Sequence, residues 1–346
     1  MRPLIPVLLC LLLCGCKAQY DTANKTADFC QATVSTCDWM HELTNAHYNA
    51  TLSDICIPGS HDAAMYITQY CTAFANHGNT QTQYLTMKNQ LEAGLRIYDV
   101  RPVFFKGDFY TEHCTRCDGL GCKGDLLRNM LRDTRVFVDQ HRELVILQIS
   151  HYCHSSPTDT ALLHLLQAEL GDRIYRNTTD ATGLKHFINI PLEKIIGDDG
   201  HGKVLIILEG GPHTPEAEMQ GWFDQRLIPM AGGWSNDNHY PELHEHQLRN
   251  FAGYMKNGDA LFQFCWQITQ HNPQAVRGAF DPNSPTTIRK GAAHANAQLP
   301  AFIDSLVNAG TIRPGRVPNI IWDDLGDTLV TRQCIKLSTI GLMKKM

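Results

Sequence analysis

Short apolar runs alternate with longer polar or amphipathic stretches along most of the chain. Several runs are apolar at every position, as in Val204-Leu205-Ile206-Ile207-Leu208, and this pattern is typical of parallel strands that helices cover on both faces. Turn residues bound each run, so we predict a strand at each of them. The predicted strands span residues 54–58, 95–103, 109–112, 144–149, 203–208, 260–266 and 318–322.

The stretches between these strands include segments with helical periodicity. Leucines at positions 162, 163, 165 and 166 predict a helix over residues 160–170, and a second is predicted over residues 298–309. Recurring strand, helix, strand order predicts a parallel sheet, and about seven strands predict an α/β fold of the irregular TIM-type (β/α) barrel class.

A polar residue lies at or just after the end of each predicted strand. In α/β barrels the chemistry takes place at the carboxyl ends of the strands. The sequence therefore predicts a functional site that gathers these positions. They are His61, Arg101, His113, His151, Glu209, Gln267, and Asp323 with Asp324.

The first 18 residues predict a secretory signal peptide. Arg2 precedes an apolar run at 4–13, and Cys16-Lys17-Ala18 offers a small-x-small cleavage site. The run is too short to span a bilayer. Residues 13–16 also resemble a bacterial lipobox with Cys16 as the lipidated residue, but we favour plain secretion. Residues 19–346 are long enough for a single barrel domain.

Export changes the interpretation of the cysteines. Thirteen are present, and removing those of the predicted signal peptide leaves ten, an even number that predicts two or more disulfides outside the cytosol. Asn24, Asn49 and Asn177 begin glycosylation sequons, which have meaning only in a eukaryotic protein. A net charge of −5 and 43% hydrophobic residues are typical of a globular chain and give no indication of nucleic-acid binding. We expect a monomer.

The cysteine-rich stretch after His113 has two interpretations. Cys114 and Cys117 form a Cys-x-x-Cys pair, with Cys122 close behind, so zinc ligation is one possibility. A structural zinc site generally needs a second pair of ligands. The compartments that exported proteins enter are oxidising and favour disulfides over free thiols. We therefore prefer local disulfide pairing that shapes a loop beside the site.

Two motifs supply the chemistry. Residues 57–62 read IPGSHD and residues 94–101 read GLRIYDVR, and His113 follows them. Together they offer two histidines, carboxylates and an arginine near the ends of successive strands. Acid–base cleavage of a phosphodiester requires these groups.

These motifs resemble the X-domain of phosphatidylinositol-specific phospholipase C (PI-PLC) in its short bacterial-like form. The segments 143–149, 202–208 and 320–323 resemble strands of the same family in the same order. The resemblance implies an irregular (β/α) barrel. It also implies that a neighbouring hydroxyl of the substrate attacks the phosphorus, giving diacylglycerol and a cyclic inositol phosphate.

The resemblance assigns an acid–base pair. By position, His61 resembles the general base and Asp323 the carboxylate that orients it. His113 resembles the general acid, with Asp62 as its partner. Histidine suits both roles because its pKa lies near physiological pH.

Arg101 and Asp99 complete the catalytic set that the resemblance implies. The metal-dependent members of the family carry an acidic residue at the position of Arg101, where it helps to bind calcium. A fixed guanidinium can instead hold the phosphate oxygens directly. Asp99 would position Arg101 or the nucleophile. We therefore expect neither a metal nor another cofactor.

The headgroup positions differ from those of the bacterial enzymes. Those enzymes hold inositol with basic residues after the fourth and fifth strands and an aromatic residue after the sixth. Here the corresponding candidates are His151, Glu209, and Trp266 or Gln267. His151 also fits a rim position without a role in binding.

Three other features have a structural interpretation. Asp62 is a favoured cap for a helix that starts at Ala63, and Asp324 fits a structural hydrogen bond. Trp222 and Trp234 fit buried packing better than membrane contact.

We expect a secreted phosphoric diester hydrolase that acts on a phospholipid or related diester during transient contact with a membrane. One alternative is a glycerophosphodiester or sphingomyelin phosphodiesterase. Such enzymes typically carry a Glu-x-Asp metal pair, where this chain has Asp99-Val100-Arg101. The other alternative is a catalytically silent lipid- or glycan-binding barrel, which the altered headgroup positions favour and the retained histidines oppose.

Overall fold

A computed structural model describes residue 30 and residues 36–115, 119–152, 155–176, 184–209, 223–224, 228–254, 260–281 and 283–343. The predicted signal peptide lies outside these residues. Within the described part, no helix is both long enough and apolar enough to cross a bilayer.

The strands and helices alternate over most of the chain. The strands are β1 (Ile57–Ser60), β2 (Ile97–Val100), β3 (Pro102–Phe105), β4 (Asp108–Cys114), β5 (Gly121–Leu126), β6 (Leu144–Ile149), β7 (Lys203–Leu208), β8 (Phe223–Asp224), β9 (Met230–Gly232), β10 (Leu261–Cys265) and β11 (Ile320–Asp323). The helices are α1 (Trp39–Ala46), α2 (His77–Thr80), α3 (Met87–Glu92), α4 (Leu127–Gln140), α5 (Ser156–Leu170), α6 (Leu192–Ile196), α7 (Tyr240–Gly253), α8 (Asn272–Phe280), α9 (Ile288–Asn308) and α10 (Thr328–Leu342).

One curled parallel sheet forms the centre of the molecule. Its order is β8-β7-β6-β2-β1-β11-β10-β9, and every pairing in it is parallel. The first strand of the sequence, β1, pairs with the last, β11, so the N-terminal and C-terminal parts of the sheet are neighbours. This confirms the predicted α/β barrel-type fold; among the described residues, β8 and β9 are the two edges of the sheet.

The predicted strand over residues 95–103 is two strands. It breaks at Arg101, because β2 belongs to the barrel whereas β3, β4 and β5 form a separate antiparallel sheet. The prediction of a barrel strand over residues 109–112 is therefore wrong. Lys106 and Gly107 adopt positive φ angles of 51° and 87°, and such a turn reverses the chain into a hairpin.

Side chains alternate between the inside of the barrel and its helical cover. Ile57, Ile97 and Leu205 pack in the interior, whereas their neighbours Tyr98 and Val204 pack in the layer against the helices. Because alternate side chains of a strand point to opposite faces, the same alternation sets which polar residues at the strand ends face the interior.

The helix predicted over residues 160–170 is the larger part of α5. The one predicted over 298–309 covers only the second half of α9, since the small and polar residues of the first half, such as Gly291 and Asn296, carry a weak apolar pattern.

Two disulfides between described cysteines confirm the expected bridging. They join Cys30 to Cys37 and Cys71 to Cys122. The partner of Cys122 lies 51 residues away, so the expectation of local pairing is wrong for this cysteine, and the bond removes it from any zinc site. Cys114 keeps a free thiol, while Cys117 lies outside the described residues.

Candidate active site

Adjacent strands carry the principal residues to one end of the barrel. His61 directly follows β1, Arg101 follows β2 and Asp324 follows β11. The backbone N–H of His61 donates to the carbonyl of Asp323 at 3.0 Å, which continues the parallel pairing of β1 with β11. The carboxyl ends of three neighbouring strands therefore place an imidazole, a guanidinium and a carboxylate side by side.

The imidazole of His61 bridges Asp324 and Arg101. Its Nδ1 lies 2.7 Å from Oδ1 of Asp324, and its Nε2 lies 2.8 Å from Nη2 of Arg101. A guanidinium can only donate, so Nε2 accepts and Nδ1 carries the proton. Burial lowers the pKa of His61, but the charge and hydrogen bond of Asp324 outweigh it, and the net pKa is raised.

The carboxylate that contacts His61 is Asp324, so the assignment of this role to Asp323 is wrong. Trp322 packs in the barrel interior and Ile321 packs against the helices. Alternation then turns Asp324 inward and Asp323 outward. Oδ1 of Asp323 is buried without a hydrogen-bond partner, and burial together with the nearby Asp324 raises the pKa of Asp323 well above its usual value.

Arg101 is held by two buried carboxylates. Its Nε and Nη2 donate to Oδ2 of Asp99 at 3.0 and 2.7 Å, and its Nη1 donates to Oδ2 of Asp62 at 2.8 Å. Burial opposes the charge of the guanidinium, but the two carboxylates raise the pKa of Arg101 above its usual value. The arginine is therefore a permanent charge in a fixed orientation.

Asp99 also connects the site to β6. It accepts hydrogen bonds from the hydroxyl of Ser150 and, at 3.2 Å, from the backbone N–H of Asp62. Burial raises the pKa of Asp99, but Arg101 and these contacts hold it below its usual range. Sequence reasoning missed Ser150, although a polar residue directly after the apolar run of β6 was a usable signal.

His113 reaches the site from the antiparallel sheet. Its Nδ1 donates to the carbonyl of Thr80 at 2.9 Å and lies 3.4 Å from Oδ2 of Asp62. The Thr80 contact fixes the tautomer and leaves Nε2 of His113 without a proton in the neutral ring. Burial and the charge of Arg101 lower the pKa of His113 to about 4.

Asp62 lies in a turn and caps no helix. Its φ is +49°, and no helix begins at Ala63. Burial raises the pKa of Asp62 to about 7. Burial is thus the largest cause of both shifts, and in the free protein it disfavours the charged forms of Asp62 and of His113.

The headgroup candidates do not all face the interior. Trp266 is fully buried in the helical layer, where its Nε1 donates to the carbonyl of Ala295 at 3.0 Å, so its assignment to substrate binding is wrong. Gln267, the next residue, is 6% exposed, and its Oε1 has no partner. His151 is exposed at the rim, with a positive φ of 49°.

Glu209 follows β7 and faces Gln148 of β6. Nε2 of Gln148 lies 3.5 Å from Oε2 of Glu209, while Oε1 of Gln148 is buried and unpartnered. Sequence reasoning missed Gln148, the one polar residue in the apolar run of β6.

Exposed aromatic rings lie on loops that leave the same end of the barrel. Phe74, in the loop after β1, is 70% exposed, and Phe280, at the end of α8 after β10, is 75% exposed. Their ring centroids are 6.0 Å apart, and Asn76 donates to the carbonyl of Ala279 at 2.8 Å to join the two loops. Trp234 is 58% exposed, so the prediction that it packs in the interior is wrong. Trp222 lies outside the described residues.

Comparisons with known proteins agree with this architecture. No family model matches the chain. The chain is 28% identical over 166 residues to the PI-PLC X domain-containing protein 2 of Mus musculus, covering 41% of this chain and 47% of that protein. It is 29% identical over 166 residues to the Homo sapiens protein of the same name, covering 41% and 52%. The matched part thus spans about half the length of these curated relatives.

Solved structures of bacterial phospholipases share the fold. A pentafluoro-Phe PI-PLC from Staphylococcus aureus superposes with a TM-score of 0.62 at 13% identity, covering 88% of this chain and 97% of that one. The PI-PLC of Listeria monocytogenes gives a TM-score of 0.61 at 19% identity, with coverage of 88% and 99%. The predicted resemblance to the PI-PLC X-domain family is confirmed.

Proposed function

We propose that this protein is a secreted, metal-independent phosphodiesterase of the phospholipase C type. The observation that carries the proposal is the placement of Arg101. Its guanidinium contacts His61 on one side and, on the other, Asp62, which neighbours His113. A phosphate held by the guanidinium would therefore lie between two imidazoles, as a displacement with a general base and a general acid requires.

His61 is suited to the role of general base. Its Nε2 lone pair faces Arg101, and Asp324 holds the opposite nitrogen. In the proposed step, Nε2 takes the proton of a substrate hydroxyl while that oxygen bonds to phosphorus. Asp324 then stabilises the imidazolium that forms, through both its charge and its hydrogen bond.

His113 is suited to the role of general acid once substrate is bound. Arg101 helps to keep its pKa low in the free protein, and the negative charge of a bound phosphodiester offsets that effect. With both ring nitrogens protonated, His113 can then give its Nε2 proton to the departing oxygen as the phosphorus–oxygen bond breaks, while Asp62, 3.4 Å from Nδ1, stabilises the imidazolium. The proposed reaction is balanced in protons, because His61 gains the proton of the attacking hydroxyl and His113 gives one proton to the leaving group.

The interior beside this centre favours a headgroup rich in hydroxyls. Gln148 and Gln267 each present a buried amide oxygen without a partner, and the carboxylate of Glu209 is close to Gln148. Unpaired buried acceptors are costly unless a ligand donates to them. A polyhydroxylated headgroup such as inositol supplies such donors, whereas the quaternary ammonium group of choline has none.

Export is part of the same proposal. Two disulfides in the described residues support an oxidising compartment. Mass spectrometry of the protein recovered from the medium should give a mature chain that begins near Gln19. Retention in the cytosol with Met1 intact would contradict export without bearing on the chemistry.

The chemistry is tested with a panel of phosphodiesters that contains phosphatidylinositol, phosphatidylcholine, sphingomyelin and glycerophosphoinositol. Phosphorus NMR identifies the product, and we expect a cyclic phosphate from the inositol lipid. His61→Ala and His113→Ala should each lower the rate by about a hundredfold or more. Turnover of sphingomyelin alone would favour the sphingomyelinase alternative; binding of the inositol lipid without turnover would favour a silent barrel.

A further inference from the structure

A cavity lined by both apolar and polar residues lies outside the barrel, between the loops that follow β10 and the starts of α7 and α9. Its volume is about 270 Å³. Its walls carry Lys290, His294 and His239, and no Asp or Glu is among the described residues that line it. It shares no lining residue with the cluster around Arg101.

The backbone contributes to the same charge preference. Helices α7 and α9 both begin at this cavity, at Tyr240 and Ile288. Neither start has a capping hydrogen bond from a side chain. Pro241 has no N–H and the N–H of Lys290 donates to the carbonyl of Thr287 at 3.1 Å, so the donors left for a ligand are the other first-turn N–H groups. Two helix starts with positive partial charge therefore face a cavity whose lining includes the exposed Lys290.

Two polar side chains of the cavity have hydrogen-bonding capacity that the protein does not use. Thr287, the residue before α9, lines the cavity, is only 2% exposed and makes no capping bond. Gln270 donates through Nε2 to the carbonyls of Thr286 and Gly78, but its Oε1 is buried without a partner. The site thus offers a hydroxyl, a cation and backbone donors together with one free acceptor.

We propose that this cavity binds a phosphate group. Phosphate oxygens accept from Lys290, the hydroxyl of Thr287 and the helix N–H groups. The hydrogenphosphate form also carries a P–OH that can donate to Oε1 of Gln270. Lys290, Gly291 and His294 lie at helical spacing on one face of α9, and Thr287 is its N-cap residue, so one helix and its cap present the main contacts.

The phosphate can belong to a lipid headgroup or to a soluble compound. The adjacent helix α8 exposes Val276 and Phe280 to solvent, at 57% and 75%. These apolar side chains could contact a membrane, so a lipid headgroup is one source of the phosphate. Both sources have the same chemistry at the cavity, and the experiment below separates them. The proposal is independent of the phosphodiesterase proposal because its residues are separate.

The test uses full-length protein carrying Arg101→Ala, which removes phosphate binding at the barrel centre. Inorganic phosphate is titrated by calorimetry. Lys290→Gln in this background should weaken binding about tenfold, the expected loss of a charge-assisted contact. Lys88→Gln, which removes an equal charge from the exposed face of α3, is the matched control and should bind like the parent.

A second variant blocks the cavity without changing its charge. A Cβ on Gly291 would lie 3.5 Å from Ile268, an ordinary contact, so Gly291→Ala should fold normally and Gly291→Leu should fill the cavity and abolish binding. Thermal unfolding midpoints confirm that each variant is folded. Saturable phosphate binding that is unchanged in both Lys290→Gln and Gly291→Leu, or no binding in the Arg101→Ala parent, would overturn the proposal.

Vesicles distinguish the two sources. Phosphatidylcholine vesicles with and without phosphatidic acid are sedimented with the same proteins. If Lys290→Gln lowers sedimentation only with phosphatidic acid, the cavity receives a lipid headgroup. If sedimentation is unchanged while phosphate affinity falls, the cavity receives a soluble phosphate.

Discussion

At the scale of single residues, the choice between two adjacent aspartates is the sharpest test of the site. Asp324 holds His61, whereas Asp323 points away from the interior. Asp324→Asn should lower kcat/KM by about a thousandfold, because the imidazole loses its orienting charge. It should also lower the pKa of His61, since Asp324 raises it. The base works when deprotonated, so the acidic limb of the kcat/KM profile should shift to lower pH.

Asp323→Asn is the matched control. Asp323 points away from His61, and burial raises the pKa of its carboxyl group. A neutral amide of the same size should therefore leave both kcat/KM and the pH profile near those of the wild type. If the two variants exchanged phenotypes, the assignment of Asp324 would be wrong.

Arg101 gives a second residue-level prediction, on metal dependence. By the resemblance drawn from its sequence, the guanidinium stands where metal-dependent members of the family would hold calcium, and two like charges side by side repel each other. Chelation of divalent ions should therefore leave hydrolysis intact. Arg101→Ala should cost about a thousandfold in kcat by removing transition-state stabilisation.

Arg101→Lys separates charge from geometry. Lysine keeps the charge but cannot contact Asp99, Asp62 and a phosphate in one plane, so activity should stay far below that of the wild type. Loss of activity on chelation, with recovery on addition of calcium, would contradict the metal-independent mechanism.

The sequence predicted which strand ends carry the chemistry better than it predicted individual side chains. His61, Asp62, Asp99, Arg101 and His113 lie in one hydrogen-bonded or closely spaced cluster, because their motifs fix their distance from a strand end. Asp323 and Trp266 were wrongly assigned by one residue. A shift of one position turns a strand side chain to the opposite face, and the sequence alone did not define where β10 and β11 end.

At the scale of elements, the disulfide between Cys71 and Cys122 supports His113. Cys122 of β5 is opposite His113 of β4, and Cys71 lies in the loop that leads to Thr80, the hydrogen-bond partner of His113. A loop of 51 residues closed by a disulfide is expected to contribute about 4 kcal/mol. Replacing both cysteines by serine should lower the free energy of unfolding by up to that amount and kcat by roughly tenfold to a hundredfold.

The bridge between Cys30 and Cys37 provides the control. It closes a loop of only 7 residues, so its loss should cost about 2 kcal/mol, and it lies away from His113, so kcat should be unchanged. Denaturant unfolding and steady-state kinetics of both double variants make the comparison. An equal kcat in the two would show that the Cys71 bridge has no role in positioning His113.

The antiparallel sheet was the element that sequence reasoning failed to predict. Its strand β4 mixes aromatic residues with polar ones such as Glu112 and His113, and a short pattern of this kind carries no information about strand direction. The reversal depends on the turn at Lys106 and Gly107, and β5 contains Gly121, Lys123 and Gly124, which do not form an apolar run. Gly124 is required there because a Cβ would lie 2.5 Å from Oγ1 of Thr111.

At the scale of the whole molecule, the fold followed from the sequence because buried parallel strands have a strong signature. Strands β6 and β7 match their predicted bounds, since each is apolar at all but one position and is followed directly by a polar residue. The gathering of loops at one end was also predictable from topology. The exposed surface was harder to predict from the sequence. Phe74 and Phe280 are 206 positions apart, and no local pattern shows that their rings lie close together in the fold.

That exposed pair leads to a prediction for the whole molecule at a lipid surface. Phe74 and Phe280 lie at the end of the barrel that carries His61 and Arg101, and burial of one such ring in a lipid interface is worth about 1.5–3 kcal/mol. Phe74→Ser with Phe280→Ser should therefore weaken binding to phosphatidylinositol vesicles by a hundredfold or more, about tenfold for each 1.4 kcal/mol. Hydrolysis of a soluble short-chain substrate should be unchanged, since neither ring contacts the catalytic cluster.

Tyr48→Ser is the matched control for this prediction. The Tyr48 ring is 63% exposed but lies in the loop that precedes β1, at the opposite end of the barrel. Vesicle sedimentation and the ratio of vesicle to soluble turnover measure the effect, and equal losses in the two variants would contradict a membrane contact at the catalytic end.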